Sequence, residues 1–325
     1  MSEELMPNLY RLPVPLKNSP LKLLNSYLIC GERNLLIDTG YRRPECFESL
    51  TSQLAELGVD MAKTDILLTH LHADHTGLAP ELAQASTRVY ISSGEMPWML
   101  HRTADALWRE NEEDMVRFGF PRTLIDRIVR RSAENSVSPR PEFQDYLPIA
   151  EGDTFSCGEY TLCAVSTPGH TPGSLCFWME KQKTMFTGDH VLFDISPNIT
   201  SWAGVADPLG DYLQSLHKID RYDVQTALPG HRETGLFHPR VAALLQHHKA
   251  RLADCLEIVK RKSCQTVCDV AGQMHWKMRG NSWEDFPMSQ KWFAVGETAS
   301  HLQHLEARGL IAGDRSSGVI RWRAL

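Results

Sequence analysis

The 325-residue chain has no CxxC pair, no internal repeat, no low-complexity tract and no apolar run long enough to cross a bilayer. Each absence removes a class. Eight scattered cysteines (Cys30, Cys46, Cys157, Cys163, Cys176, Cys255, Cys264 and Cys268), several inside apolar strand-like runs, read as buried reduced thiols, not as a disulfide framework or a thiolate metal site. No stretch approaches the ~20 apolar residues of a membrane helix, so no membrane partner is expected. The opening MSEELMPNLYRL lacks a basic region followed by an apolar core and a small-residue cleavage site, which makes a cytoplasmic location the expectation. Glycine, proline and hydrophobic content are ordinary, which excludes collagenous and disordered classes.

What is present is an uneven charge. The formal net charge is −6, yet residues 240–325 carry 13 Lys and Arg against 8 Asp and Glu. Two surfaces, hence two domains, 1–239 and 240–325, are expected. From Asn8 to Tyr41 the chain reads as strand, turn, strand, with Gly31 and Asn34 bracketing a hairpin turn. Phe47, Leu50, Leu54 and Leu57 have helical spacing, DILLT (65–69) and RVYIS (88–92) read as buried strands, and Pro80 to Ala85 as a short helix. Strand and helix alternate, an α/β pattern. A helical insertion is expected from about residue 95 to 144, with RVYIS the one strand between Thr87 and Thr161. Sheet resumes with YTLCAV, SLCFW and TMFT. After Pro239 the chain reads as helices, ending in GETASHLQHLEARG and a hairpin, LIAGDRSSGVIRWRAL, together winged-helix-like.

Chemistry concentrates in THLHADHTG, Thr69 to Gly77, directly after a predicted buried strand. His70 and His72 alternate as extended residues do and can aim at one point, while Asp74 and His75 lie past the bend and can aim at another. Imidazole and carboxylate are ligands that zinc and similar divalent metals take. Crowding them without a metal would incur desolvation and repulsion. Downstream, His170 in STPGHTPGS, Asp189 in MFTGDH and His231 in ALPGHRE each follow an apolar run and a glycine, which lets the backbone turn sharply and aim the side chain across the sheet edge. His190 is one residue out of phase with Asp189 and is expected to face away in a structural role. His247 and His248 are expected on a solvated helix face.

The segments LIDTG, THLHADH, TPGHTPGS, FTGDH and LPGH, in that order over residues 8 to 235, resemble the metallo-β-lactamase superfamily. The resemblance implies a four-layered αββα sandwich with two divalent metal ions, Zn2+ first and Mn2+ or Fe2+ as alternatives. It implies a first ion on His70, His72 and His170, a second on Asp74, His75 and His231, and a bridging Asp189. Asp38 of LIDTG falls at a position that orients ligands. Asp74 and Asp189 are the implied catalytic carboxylates, and a metal-bridging hydroxide the implied nucleophile at a thioester, ester or lactone carbonyl.

The fold alone does not fix the substrate. Glyoxalase II usually has a third histidine where Leu71 stands, and quorum-signal lactonases share HxHxDH but lack such a C-terminal appendage. Flavodiiron enzymes carry a flavin domain, and β-CASP nucleases a large insertion after the core ligands; neither matches. Met96, Trp98, Met99, Leu100, Trp108, Met115, Phe118 and Phe120 in the insertion read mainly as helix core, and as the wall of a lid for an acyl chain. The expectation is therefore a hydrolase of the glyoxalase II and lactonase-like kind acting on a small acyl substrate. The alternative is an endoribonuclease holding single-stranded RNA on its C-terminal domain. Glu297 and Glu306 on the presumed recognition helix argue against nucleic acid and for a packing or homodimerisation module.

Overall fold

A computed structural model describes residues 1–100, 112–133, 137–276 and 282–325. These form two compact units: one from the described residues within 1–104, 136–197 and 217–241, the other from those within 105–135, 198–216 and 242–325.

The first unit is built on two sheets. Strands β1 (Glu3–Met6), β2 (Leu9–Leu16), β3 (Lys22–Ile29), β4 (Asn34–Ile37), β5 (Thr64–Leu67), β6 (Val89–Ser92) and β7 (Tyr146–Ile149) form a seven-stranded sheet in sequence order. Its first four strands are antiparallel and the rest join in parallel. Strands β8 (Thr154–Cys157), β9 (Tyr160–Ser166), β10 (Leu175–Met179), β11 (Thr184–Gly188) and β12 (Thr226–Pro229) form the second, in the order β12-β11-β10-β9-β8.

Period-two alternation sends each strand's side chains to two different cores. Leu9, Tyr27, Ile29, Leu35, Ile37 and Leu67 of the first sheet meet Leu162, Phe177, Phe186 and Leu228 of the second. The intervening residues, Leu12, Val14, Leu28, Leu36, Ile66 and Val89, instead meet Cys46, Leu50 and Leu54 of α1 (Pro44–Glu56) and Ala79 and Leu82 of α3 (Ala79–Leu82). Between those helices lies the one-turn α2 (Ala73–Thr76), and α4 (Met96–Leu100) follows β6. Met96, Met99 and Leu100 pack on the outer core, while Trp108 lies outside the described residues.

The expectation of a single strand between Thr87 and Thr161 is corrected: β7 and β8 lie there too. β7 buries only its two ends and β8 only its last residue fully. Neither shows the alternation that marked the others.

The second unit contains α5 (Arg122–Ala133), α8 (Val267–Ala271), α9 (Met288–Ala307) and an antiparallel pair, β13 (Ile311–Asp314) and β14 (Arg321–Ala324). Two further helices, α6 (Pro208–Ile219) and α7 (Phe237–Arg261), have residues in both units. The helix and hairpin anticipated at the C-terminus are thus present, and α6 was not anticipated. Met115, Phe118 and Phe120 are buried within this unit, where the Phe118 carbonyl accepts from the Cys268 amide. All eight cysteines are free thiols; Cys46, Cys157, Cys176 and Cys255 are buried, whereas Cys264 is exposed.

His248 overturns the expected solvated face of α7. It is fully buried, with its ring 5.3 Å from that of Tyr212 and its Nδ1 3.2 Å from His301 Nε2. Val241, Leu244, His248, Arg251, Leu252 and Cys255 form one buried stripe at helical spacing, and a histidine in that register is carried inside. Burial above all, with His301, His247 and Arg251 nearby, pushes the His248 pKa well below its usual value. Burial also takes His301 down to about 3, against an opposing hydrogen bond to the Glu297 carbonyl.

Both histidines therefore stay neutral in the fold and gain protons only when it opens. Their contribution is complete above the unfolded pKa near 6.5 and is lost as pH falls below it, by up to about 1.4 kcal/mol per pH unit for each. Denaturant unfolding at about pH 7 and about pH 5.5 should show this loss, with a shallower dependence in His301→Gln. An unchanged pH dependence in that variant would remove His301 from the account.

Candidate metal centre

All seven predicted residues converge at one end of the two sheets. β5 runs into Thr69, His70 and His72, and His72 is the N-cap residue of α2, whose single turn carries Asp74 and His75. From the second sheet come His170 in the turn between β9 and β10, Asp189 just past β11 and His231 just past β12. His70, His75 and His231 are fully enclosed, and Asp74, His170 and Asp189 nearly so.

His72 Nδ1 lies 3.0 Å from both His70 Nε2 and His170 Nε2. His231 Nε2 lies 3.3 Å from both His75 Nε2 and Asp74 Oδ2. These spacings approach the ~3.3 Å edge of a tetrahedron whose ligand nitrogens sit about 2.0–2.1 Å from a central ion. Asp189 spans the two sets: Oδ1 is 3.5 Å from His75 Nε2 and 3.6 Å from His231 Nε2, while Oδ2 is 3.8 Å from His170 Nε2. Three overlapping groups could each hold a cation: His70, His72 and His170; His70, His75 and Asp189; Asp74, His75 and His231.

The outer nitrogens decide what faces inward. His231 Nδ1–H donates to the Leu23 carbonyl at 2.7 Å, and His75 Nδ1–H to Asp38 Oδ2 at 2.7 Å. Both Nε2 atoms consequently present lone pairs. Thr69 Oγ1 donates to Asp38 Oδ2 at 2.8 Å, so at 3.0 Å from His70 Nδ1 it accepts, which turns the His70 Nε2 lone pair inward as well. Lone pairs and carboxylates pointing at one another at these distances repel unless a proton or a metal cation lies between them, and Asp189 Oδ1 is buried without a hydrogen bond among the described residues. The donor set fits divalent metal.

The proton equilibria show what occupies the site without metal. Burial opposes ionisation of Asp74 and Asp189, but His231 and His75 outweigh it, holding Asp74 at about 2 and Asp189 well below the usual carboxylate range. Burial likewise works against a charged His75 or His231, and is outweighed by Asp38 and Asp189 at the first and by Asp189 and Asp74 at the second, so without metal both rings favour a second proton, on Nε2, that a bound ion would displace. His70 and His72 face other histidines, so burial and mutual repulsion lower both, His72 to about 3. His190 is buried and belongs to none of the three groups.

Gly230 shows how closely the shell is drawn. A Cβ there would lie 2.7 Å from Asp189 Oδ1 and 2.8 Å from His75 Cε1, so only glycine lets the β12 turn approach.

The sequence model of the metallo-beta-lactamase superfamily matches residues 22–231. The chain belongs to this superfamily. Among curated relatives in it, the lactamase-like protein adaB of Aspergillus niger is 25% identical over 317 residues, covering 85% of this chain and 82% of its own. The atrochrysone carboxyl ACP thioesterase of Emericella nidulans is 27% identical over 328 residues, covering 98% of this chain and 85% of its own. A crystal structure of a metallo-beta-lactamase family protein from Thermus thermophilus superposes with a TM-score of 0.82 at 28% identity, covering 99% of this chain and 100% of that one.

Several supports of this metallo-beta-lactamase site escaped the sequence reading. Asn25 Nδ2 donates to the carbonyls of Pro229 and Arg232, and Tyr27 Oη to that of Pro229, so β3 holds the His231 turn. Thr69 links Asp38 to His70. Glu95, fully buried, follows a strand and a glycine as the ligands do, and that signal in VYISSGE could have found it.

Proposed function

We propose that this hydrolase of the metallo-beta-lactamase superfamily cleaves acyl thioesters at a two-ion centre. His70, His72 and His170 would hold one ion, Asp74, His75 and His231 the other, and Asp189 both. The observation that carries the reading is the Asp189 carboxylate, one oxygen toward each set. Zinc is the assigned metal, because imidazole and carboxylate in compact groups suit it. The ions, when bound, supply Lewis acidity that polarises a carbonyl and lowers the pKa of a water.

The side chains define what else is available. Asp74 and Asp189 stay ionised, so they are suited to ligate metal and to accept hydrogen bonds, and do not serve as acids. His75 and His231 have their Nδ1 protons committed to Asp38 and Leu23. With metal in place of the second protons on His75 and His231, the seven side chains offer no ready proton donor to a leaving group. A thiol, with a pKa near 8.5, departs as thiolate without one, whereas an alkoxide or amide departs poorly. The resemblance to a relative named an ACP thioesterase supports the same choice.

The test is a side-by-side assay of acyl-coenzyme A, acyl-N-acetylcysteamine, a lactone and single-stranded RNA, before and after chelation and with Zn2+, Mn2+ or Fe2+ restored. Thioester turnover that disappears on chelation and returns with metal is expected. Preferred lactone or RNA cleavage, or chelator-resistant turnover, would overturn the reading.

A further inference from the structure

We propose that Glu95 is a positioning residue that seats the His170 turn and thereby sets the affinity of the His70, His72 and His170 group for its ion. The inference rests on the two-ion reading above.

Glu95 lies three residues past the end of β6, and its side chain is fully buried. Its Oε1 accepts from Thr171 Oγ1 and, at 2.8 Å, from the Gly173 amide, so one oxygen grips the turn that carries His170 from both sides of Pro172. The Leu71 amide, between His70 and His72, is near enough to favour the charged form of this carboxyl. The same group therefore grips the segment that supplies His170 and faces the one that supplies His70 and His72, which come from different sheets. Backbone contact reinforces the grip: a Cβ on Gly173 would lie 2.7 Å from the Glu95 nitrogen and 2.7 Å from the Gly94 carbonyl carbon. Glycine at 173 is what allows the two strands of chain to touch.

Oε2 is buried and has no hydrogen bond among the described residues. A full charge with one unpaired oxygen is poorly placed in such a site. Accordingly burial raises the Glu95 pKa to about 7, against the opposing hydrogen bonds from Thr171 and Gly173 and the influence of the Leu71 amide. What the turn requires of Glu95 is thus an acceptor at one point, not its charge. A glutamine carbonyl supplies the same acceptor.

The distinction gives the experiment. Metal-depleted protein is titrated with Co2+, following the absorption bands of the two ions separately, with no substrate present. Glu95→Ala should weaken one of the two binding steps by about 10- to 100-fold, the range seen when groups supporting a ligand are removed, and leave the other step unchanged. Glu95→Gln should restore it to within a few-fold. Thr171→Val, which keeps the carboxyl and removes one donor, should weaken the same step by a smaller factor and stands in if Glu95→Ala does not fold. Two wild-type binding steps in Glu95→Ala or Thr171→Val, equal weakening of both steps, or a Glu95→Gln variant as impaired as Glu95→Ala would each overturn the proposal. Failure of the unaltered protein to bind two ions would instead overturn the reading on which it rests.

Discussion

Asp189→Ala is expected to abolish binding of a second ion and to reduce thioester hydrolysis by about 10³-fold or more, since several kcal/mol of transition-state stabilisation depart with the ion and each 1.36 kcal/mol is tenfold. Among the described residues no other carboxylate reaches both sets: Asp74 belongs only to the group with His75 and His231. A melt separates chemistry from folding. Removing Asp189 leaves buried His75 and His231 without a carboxylate partner, so the metal-free fold should lose up to about 3–5 kcal/mol while remaining folded. The measurement is ion content by elemental analysis alongside turnover and a denaturant melt. Two retained ions with turnover near that of the unaltered protein would refute the assignment of Asp189 as the shared ligand.

Asp38 is expected to have the second largest effect, by a different route. Its backbone sits in the left-handed region at φ 58°, just after β4. Its carboxylate accepts from the Thr69 amide at 2.9 Å, the Thr69 hydroxyl and His75 Nδ1. Through His75 it orients the second set, and through Thr69 and His70 the first. Asp38→Ala leaves a buried amide and a buried imidazole N–H without acceptors, at about 1–3 kcal/mol each, and adds about 1–2 kcal/mol of left-handed strain. A stability loss of about 3–8 kcal/mol is expected in denaturant melts. Asp38→Asn tolerates the backbone and keeps one acceptor, but its amide hydrogens confront a donor. It should fold and bind both ions about 10- to 100-fold more weakly. Wild-type ion affinity in Asp38→Asn would show that the orientation of these histidines does not depend on the carboxylate.

How far the sequence disclosed this molecule depended on how many residues carried each signal. Strands β2 to β5 bury both of their faces in different cores, and their apolar runs stand out. β8, with only Cys157 fully buried, has no comparable signature, whereas α6 buries Leu209, Tyr212, Leu216 and Ile219 at a helical spacing that was legible and passed over. The turns that carry His170, Asp189 and His231 were legible because each joins an apolar run, a glycine and a side chain able to hold a metal. Their supports were not, because Asn25, Tyr27 and Glu95 are single polar residues whose partners lie 204, 202 and 76 positions away. His248 misled for the same reason in reverse. A histidine beside lysine and arginine suggests solvent, and only the register of the whole helix shows that it points inward.

The bonds from β3 to the His231 turn bear on the order in which this protein can be made. Asn25, Tyr27 and Leu23 wait for partners more than 200 residues downstream, and until those partners emerge two buried polar side chains and a main-chain carbonyl have nothing to bond. Closing so long a loop is slow, and it comes after the local hairpins have formed. A chain that stops short of its β12 turn therefore lacks both the partners of β3 and a member of the Asp74, His75 and His231 group, so on the two-ion reading binding of the second ion would report that the chain has been folded through to that turn.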